Sequence, residues 1–306
     1  MQLNFFQLLL LGYKNYWKGV KFILTHKLYW YVVFPIVLFL GVYWLGSYFK
    51  SVEYSIGANL NQHDGVNTIN GLIWHTFKLL FFYSLNIIFT KFALYIVVVL
   101  LSPVLSIISE KIEEILTGNK YKFNFYQLMH DVRRGMKIAL RNIMWEYFFI
   151  ILVLGLASFF DDSIKSVLVF SIPVIFGFYF YGFSFIDYIN ERRRLNIQQS
   201  VNFVSKHKGL AMAIGSIYSV FFLSYHLVFR KFDTLPTDPS TQIFWGTILV
   251  VTFCLATVAP IIAITSATLS MHELVDLSKN DHAIKTNQFI EEDKNEPETE
   301  SQSSPK

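Results

Sequence analysis

A single cysteine, Cys254, stands among the 306 residues. That excludes an internal disulfide and any cysteine-built metal cluster, and its apolar neighbours predict a packed thiol. Charge is also scarce, at 16% of residues against about 25% in a soluble domain. Gly-rich phosphate loops, HExxH, zinc-ligand spacings and GxSxG are missing, and the eight histidines are scattered. Catalysis therefore has no visible anchor, and no enzyme activity, cofactor, catalytic residue or metal site is expected.

Apolar surface is what the chain has in excess: 53% hydrophobic and 18% aromatic residues, with mean hydropathy +0.41. Six hydrophobic segments, at about 28–49, 72–101, 143–160, 164–189, 209–229 and 242–270, are separated by polar or Gly, Pro, Asp and Asn-containing joints. The composition predicts an all-α integral membrane protein whose first partner is the lipid bilayer. Lys and Arg alternate in density along the joints. Sixteen fall in 1–27, 104–141 and 190–208, against four in 50–71, 161–165 and 230–241. The positive-inside rule then puts both termini in the cytoplasm.

Residues 1–27 mix Leu3, Phe5, Phe6 and Leu8 with Lys14, Lys18 and Lys21, the pattern of a helix lying in the membrane interface. A signal peptide has its positive charges before the apolar core, and here the order is reversed. The segment 143–160 is short for a span and is joined to the next by Asp161, Asp162 and Ser163 alone. Two true spans and a re-entrant hairpin both satisfy that pattern. The residues from Asp276 onward carry eight acids and four lysines and read as a disordered acidic tail. The domain division expected is 1–27 interfacial helix, 28–275 membrane domain, 276–306 tail.

Polar residues inside apolar segments are the candidate functional groups. Every 20-residue window within 72–101 contains Lys91, and a buried cation costs about 2.5–3.5 kcal/mol on insertion scales. Lys91 is read either as a pathway residue or as the snorkelling end of a span at 72–91, with 92–101 packed on protein. Asp187 closes the fourth segment four to seven residues before Glu191 and Arg192, Arg193 and Arg194, a spacing that predicts a local ion pair at a helix end. The arginine triplet itself fixes orientation and touches headgroups, with anion capture as the alternative. Arg133, Arg134, Lys137 and Arg141 directly adjoin a membrane segment, which argues against nucleic acid as a partner. Pro35, Pro103, Pro173 and Pro260 each interrupt an apolar segment.

The order SPVLSIISEKIEEILTG (residues 102–118), DVRRGMK (131–137), FIDYINERRR (185–194) and APIIAITSATL (259–269) resembles the CysZ-type sulfate permeases, which share a domain with the eukaryotic etoposide-induced membrane protein. The resemblance covers roughly 8–275. It implies two long transmembrane helices plus partly penetrating helical hairpins and amphipathic interfacial helices. It also implies a multi-pass protein of the bacterial inner membrane, homo-oligomerisation, and uptake of sulfate or a similar small oxyanion. Pro103, Glu110, Lys111, Glu113, Gly118, Asp131, Arg134 and Asp187 fall at features of the family pattern. The chain departs from it at Lys27, Leu28, Tyr29 and Trp30, where the family has Gly-Leu and two arginines associated with sulfate binding. Aromatics offer no planar fork for an oxyanion. The anion-pathway candidates are Lys27, Lys91, Arg134, Glu110 and Asp187; the alternative function is a noncatalytic membrane scaffold of the same fold.

Overall fold

The computed structural model describes residues 3–61, 69–91, 93–120, 125–232, 234 and 238–279. Among them there is no strand. The helices are α1 (Phe5–Thr25), α2 (Val33–Asn61), α3 (Ile69–Lys91), α4 (Ala93–Thr117), α5 (Phe125–Ala157), α6 (Asp162–Arg192), α7 (Ile197–Lys206), α8 (Lys208–Phe232) and α9 (Pro239–Val275). The expected all-α membrane architecture stands. In place of two long spans, five stretches of the described residues have the length and apolarity to cross a bilayer: Leu28–Ala58, Val132–Ala157, Asp162–Arg192, Lys208–Phe232 and Pro239–Val275.

One segment boundary differs from the expectation. The run 72–101 falls in α3 and α4, on either side of residue 92, which lies outside the described residues. Val97, Val98 and Leu101 of the second half are buried in protein. The segment at 143–160 is only the latter part of α5, which begins at Phe125 and is continuous through the basic stretch. Both α5 and α6 thus contain stretches with the length of full spans. Pro35 sits in the first turn of α2, where its missing N–H costs nothing, whereas Pro103, Pro173 and Pro260 lie inside helices. Cys254 is exposed on α9, not packed. The tail beyond Lys279 lies outside the described residues.

The core is built where α6, α8 and α9 meet, with α1 and α4 laid against it. Without a strong hydrophobic drive inside lipid, close approach of backbones does the packing. At the α6–α8 crossing, a methyl group added to Gly182 would overlap the Ala211 carbonyl, and one added to Gly215 would overlap the Phe178 carbonyl. Only glycine permits this contact. Tyr218 fills the adjacent space, its ring 5.2 Å from Phe185 and 5.6 Å from Tyr181. α9 contributes a stripe of small residues, Ala256, Ala259, Ala263 and Ala267, interleaved with buried Thr265, Ser266, Thr268 and Ser270. Those hydroxyls are satisfied within the helix or across it: Thr265 bonds Ile261 O at 2.7 Å, and Ser266 bonds Gly12 O at 3.2 Å.

α1 starts with a capping box, Asn4 and Gln7 exchanging side-chain bonds with each other's backbone N–H. Its Leu8, Gly12, Asn15, Tyr16, Gly19 and Ile23 face α8 and α9, while Phe6, Leu10, Trp17 and Leu24 stay exposed. Asn15 donates to Ser270 at 3.1 Å, and Tyr16 donates its hydroxyl to Ile214 O. Burial pushes the Tyr16 phenol well above its ordinary value, with the nearby Tyr13 adding to the shift. Lys27, at the turn from α1 into the 3-10 segment Leu28–Val32, holds φ +57° and ψ +30°. α2 and α3 form a hairpin held at Glu53, which accepts from Asn86 Nδ2 at 2.9 Å.

Candidate functional site

The charged residues of the bundle converge where the start of α5 meets the ends of α4 and α6. On α4, Leu101, Leu105, Ile108 and Ile112 recur at helical spacing and are fully buried. Ser109 and Glu113 flank that face and are buried with it, because α6 and α9 close over the side of the helix. Glu113 receives Arg192 Nε at 3.1 Å; Arg192 Nη2 also donates to Ser109 Oγ at 2.7 Å. Ser109 in turn bonds Thr268 of α9 at 2.8 Å. Asn119 donates to Glu113 at 3.4 Å and to Leu277 O at 3.2 Å, tying the α4 terminus to the end of α9. Gly118, at φ +77°, makes the left-handed step that ends α4.

A second buried pair joins α5 to α6. Arg134 donates Nε to Asp187 Oδ2 at 3.1 Å and Nη2 to Oδ1 at 2.8 Å, a two-pronged contact. Its Nη1 reaches Leu195 O at 2.6 Å, and Glu191 lies 3.9 Å from Nε. Asp187 also accepts from Ser200 of α7 at 2.5 Å, and Asn190 bonds the same serine at 3.0 Å. Side-chain exposure is 10% for Arg134 and 5% for Asp187, so each charge depends on the other for its solvation.

The polar line continues down α5. At one-turn intervals after Arg134 come Ile138, Asn142 and Glu146, all buried. Asn142 Nδ2 reaches Phe180 O at 3.2 Å and Ser184 Oγ at 3.3 Å on α6. Glu146 lies within the candidate span Val132–Ala157, beside Gly177.

Of the sequence candidates, Arg134 and Asp187 are brought together. The local pairing expected for Asp187 is overturned: its partner is 53 residues away, because the inward face of α6 points at α5. Arg192 likewise turns into the bundle, not toward headgroups, and Arg193 packs over the Phe203 ring at 5.2 Å. Partial burial lowers the Arg193 guanidinium below its ordinary value, against the opposing pull of Glu113. Glu110 is half-buried on α4, one turn before the fully buried Glu113. Lys111 pairs with Glu114 at 2.8 Å on the surface. Lys27 is exposed and distant in the chain from this cluster. The side chains of Lys91 and Asp131 lie outside the described residues. Glu113 as the partner of Arg192, together with Asn142 and Glu146, escaped sequence reasoning; the four-residue spacing from Arg134 was the available signal.

A cavity of about 610 Å³ opens at Arg134, which lines it with His130, Arg133, Lys137, Glu191, Arg194 and residues 195–197 leading into α7. Glu191 accepts contacts from His130 at 3.4 Å and from Arg134.

These features define a polytopic helical membrane protein with a charged network buried at one end of its bundle. The chain belongs to the Sulfate transporter CysZ/Etoposide-induced protein 2.4 family, whose profile matches residues 15–229. A search of curated proteins finds no match.

Proposed function

We propose that this chain is a membrane permease for a small oxyanion, and that the ion is sulfate. The observation that carries the reading is the pair of buried guanidinium–carboxylate contacts, Arg134–Asp187 and Arg192–Glu113, at the end of a bundle of span-length helices. Charges in such a position are expensive, and their usual justification is an ion path. The family's description supplies the substrate class. In this reading Arg134 exchanges one prong of its carboxylate contact for the anion, while Asp187 and Glu110 limit how tightly it is held. Lys27 and Lys91 add point charges along the route. The protein sits in a bacterial inner membrane as a homo-oligomer with cytoplasmic termini, residues 1–27 lying in the interface ahead of the membrane domain.

Uptake of labelled sulfate into proteoliposomes tests this. Wild-type protein is expected to exceed empty vesicles, and Arg134→Lys, which keeps the charge and loses the fork, to lower flux about tenfold or more, from the roughly 1.5–3 kcal/mol of a charge-assisted bond. No flux above empty vesicles overturns the proposal. A scaffold of the same fold is the second reading, favoured by Tyr29 and Trp30: both are exposed, their rings 5.6 Å apart, where the family resemblance has its arginine pair.

A further inference from the structure

The cavity beside Arg134 has a surplus of positive charge that the core network does not consume. Arg134 is committed to Asp187, Leu195 and Glu191. Arg133, Lys137 and Arg194 are exposed at the cavity, and none forms an ion pair among the described residues. Arg194 is presented by a turn held at φ +53°, a backbone state that non-glycine residues rarely adopt. Among the described residues Glu191 is the single carboxylate lining the cavity, and its side chain is 8% exposed, against 60% for His130. Three outward-facing cations around a concave wall suit a phosphate-type oxyanion.

What lies next to the cavity narrows the ligand further. Met129, Met136, Leu140, Met144 and Ile151 of α5 are all exposed, and their spacings of seven, four, four and seven residues place them on one face of the helix. Arg133 lies on that same face and Lys137 at its edge. The stripe leaves the cavity and runs along the candidate span Val132–Ala157. At 1.5 Å per residue, Leu140 to Ile151 covers about 16 Å, the depth of one leaflet in a hydrocarbon core of about 30 Å.

We infer that this cavity binds the phosphate of an anionic phospholipid through Arg133, Lys137 and Arg194, with the acyl chains lying along the exposed apolar stripe of α5. A free phosphate or sulfate ion shares the headgroup chemistry and has no use for the stripe, so a lipid is the occupant this geometry favours.

Native mass spectrometry of the detergent-purified full chain tests it, with dioleoyl phosphatidylglycerol and dioleoyl phosphatidylcholine as probes and inorganic phosphate and sulfate as competitors. Wild type is expected to retain phosphatidylglycerol in preference to phosphatidylcholine, and millimolar phosphate or sulfate is expected not to displace it. Each cation removed lowers retention about fivefold, so Lys137→Gln with Arg194→Gln lowers it about 25-fold. Arg133→Gln gives the single-step loss in a second background, and melting temperatures unchanged from wild type show that these exposed substitutions leave the fold intact. The inference is overturned by equal retention of the two lipids, by displacement with free phosphate or sulfate, or by variants that bind as wild type does.

Discussion

Removing Glu113 leaves the Arg192 guanidinium inside the bundle with its principal carboxylate gone. Glu113 is fully buried, and Arg192 is 6% exposed at its side chain, so water cannot take over the lost contact without opening α4 from α6. Breaking such a pair from one side costs about 3–5 kcal/mol. At roughly 2–4 °C per kcal/mol, Glu113→Ala is expected to melt about 6–20 °C below wild type in detergent, followed by tryptophan fluorescence at a single scan rate. Glu113→Leu combined with Arg192→Met removes both charges together and is expected to recover most of that loss, because two apolar side chains need no solvation. Glu113→Gln keeps the shape and an acceptor and should fall between. A Glu113→Ala protein that melts within about 1 °C of wild type refutes the claim that this pair is desolvated; so does a double variant no better than the single.

Three further outcomes follow from the geometry. Gly215→Ala forces a methyl into the Phe178 carbonyl, so the chain is expected to lose its monodisperse peak in size-exclusion chromatography, whereas Gly155→Ala, at an open position, keeps it. Lys27→Gly relieves a left-handed backbone on an L-residue and is expected to stabilise by about 0.5–1 kcal/mol, read as a small rise in melting temperature; a fall refutes the strain argument. Tyr16 is buried as the neutral phenol with a raised pKa, so its contribution is complete below about pH 10, the ordinary value, and is lost as pH rises through the shifted one. Alkaline melting of wild type should therefore be steeper than that of Tyr16→Phe, measured as melting temperature against pH.

Composition and hydropathy were sufficient for the all-α membrane class; Asp187 stood out at the end of an apolar segment, and Arg134 through the family resemblance. Their partnership was not legible. Asp187 has three arginines within seven residues, and only the direction in which α6 presents its inward face decides that Arg134 holds it. Glu110, Glu113 and Glu114 lie on one helix, and hydropathy locates the apolar face without saying how wide a surface neighbouring helices cover; α6 and α9 bring Glu113 inside. At Lys27 the opposite held. The family resemblance put glycine there, and the left-handed backbone supplies the physical reason.

The α6–α8 crossing also bears on motion. Backbone rests on backbone at Gly182 and Gly215, with no side chain between to change rotamer. Two helices joined this way turn together like a welded frame. Rearrangement of the bundle is then left to elements attached through longer side chains, such as the α2–α3 hairpin, which is joined internally by Glu53 and Asn86 and meets α8 through ring contacts such as Phe39 with Phe222.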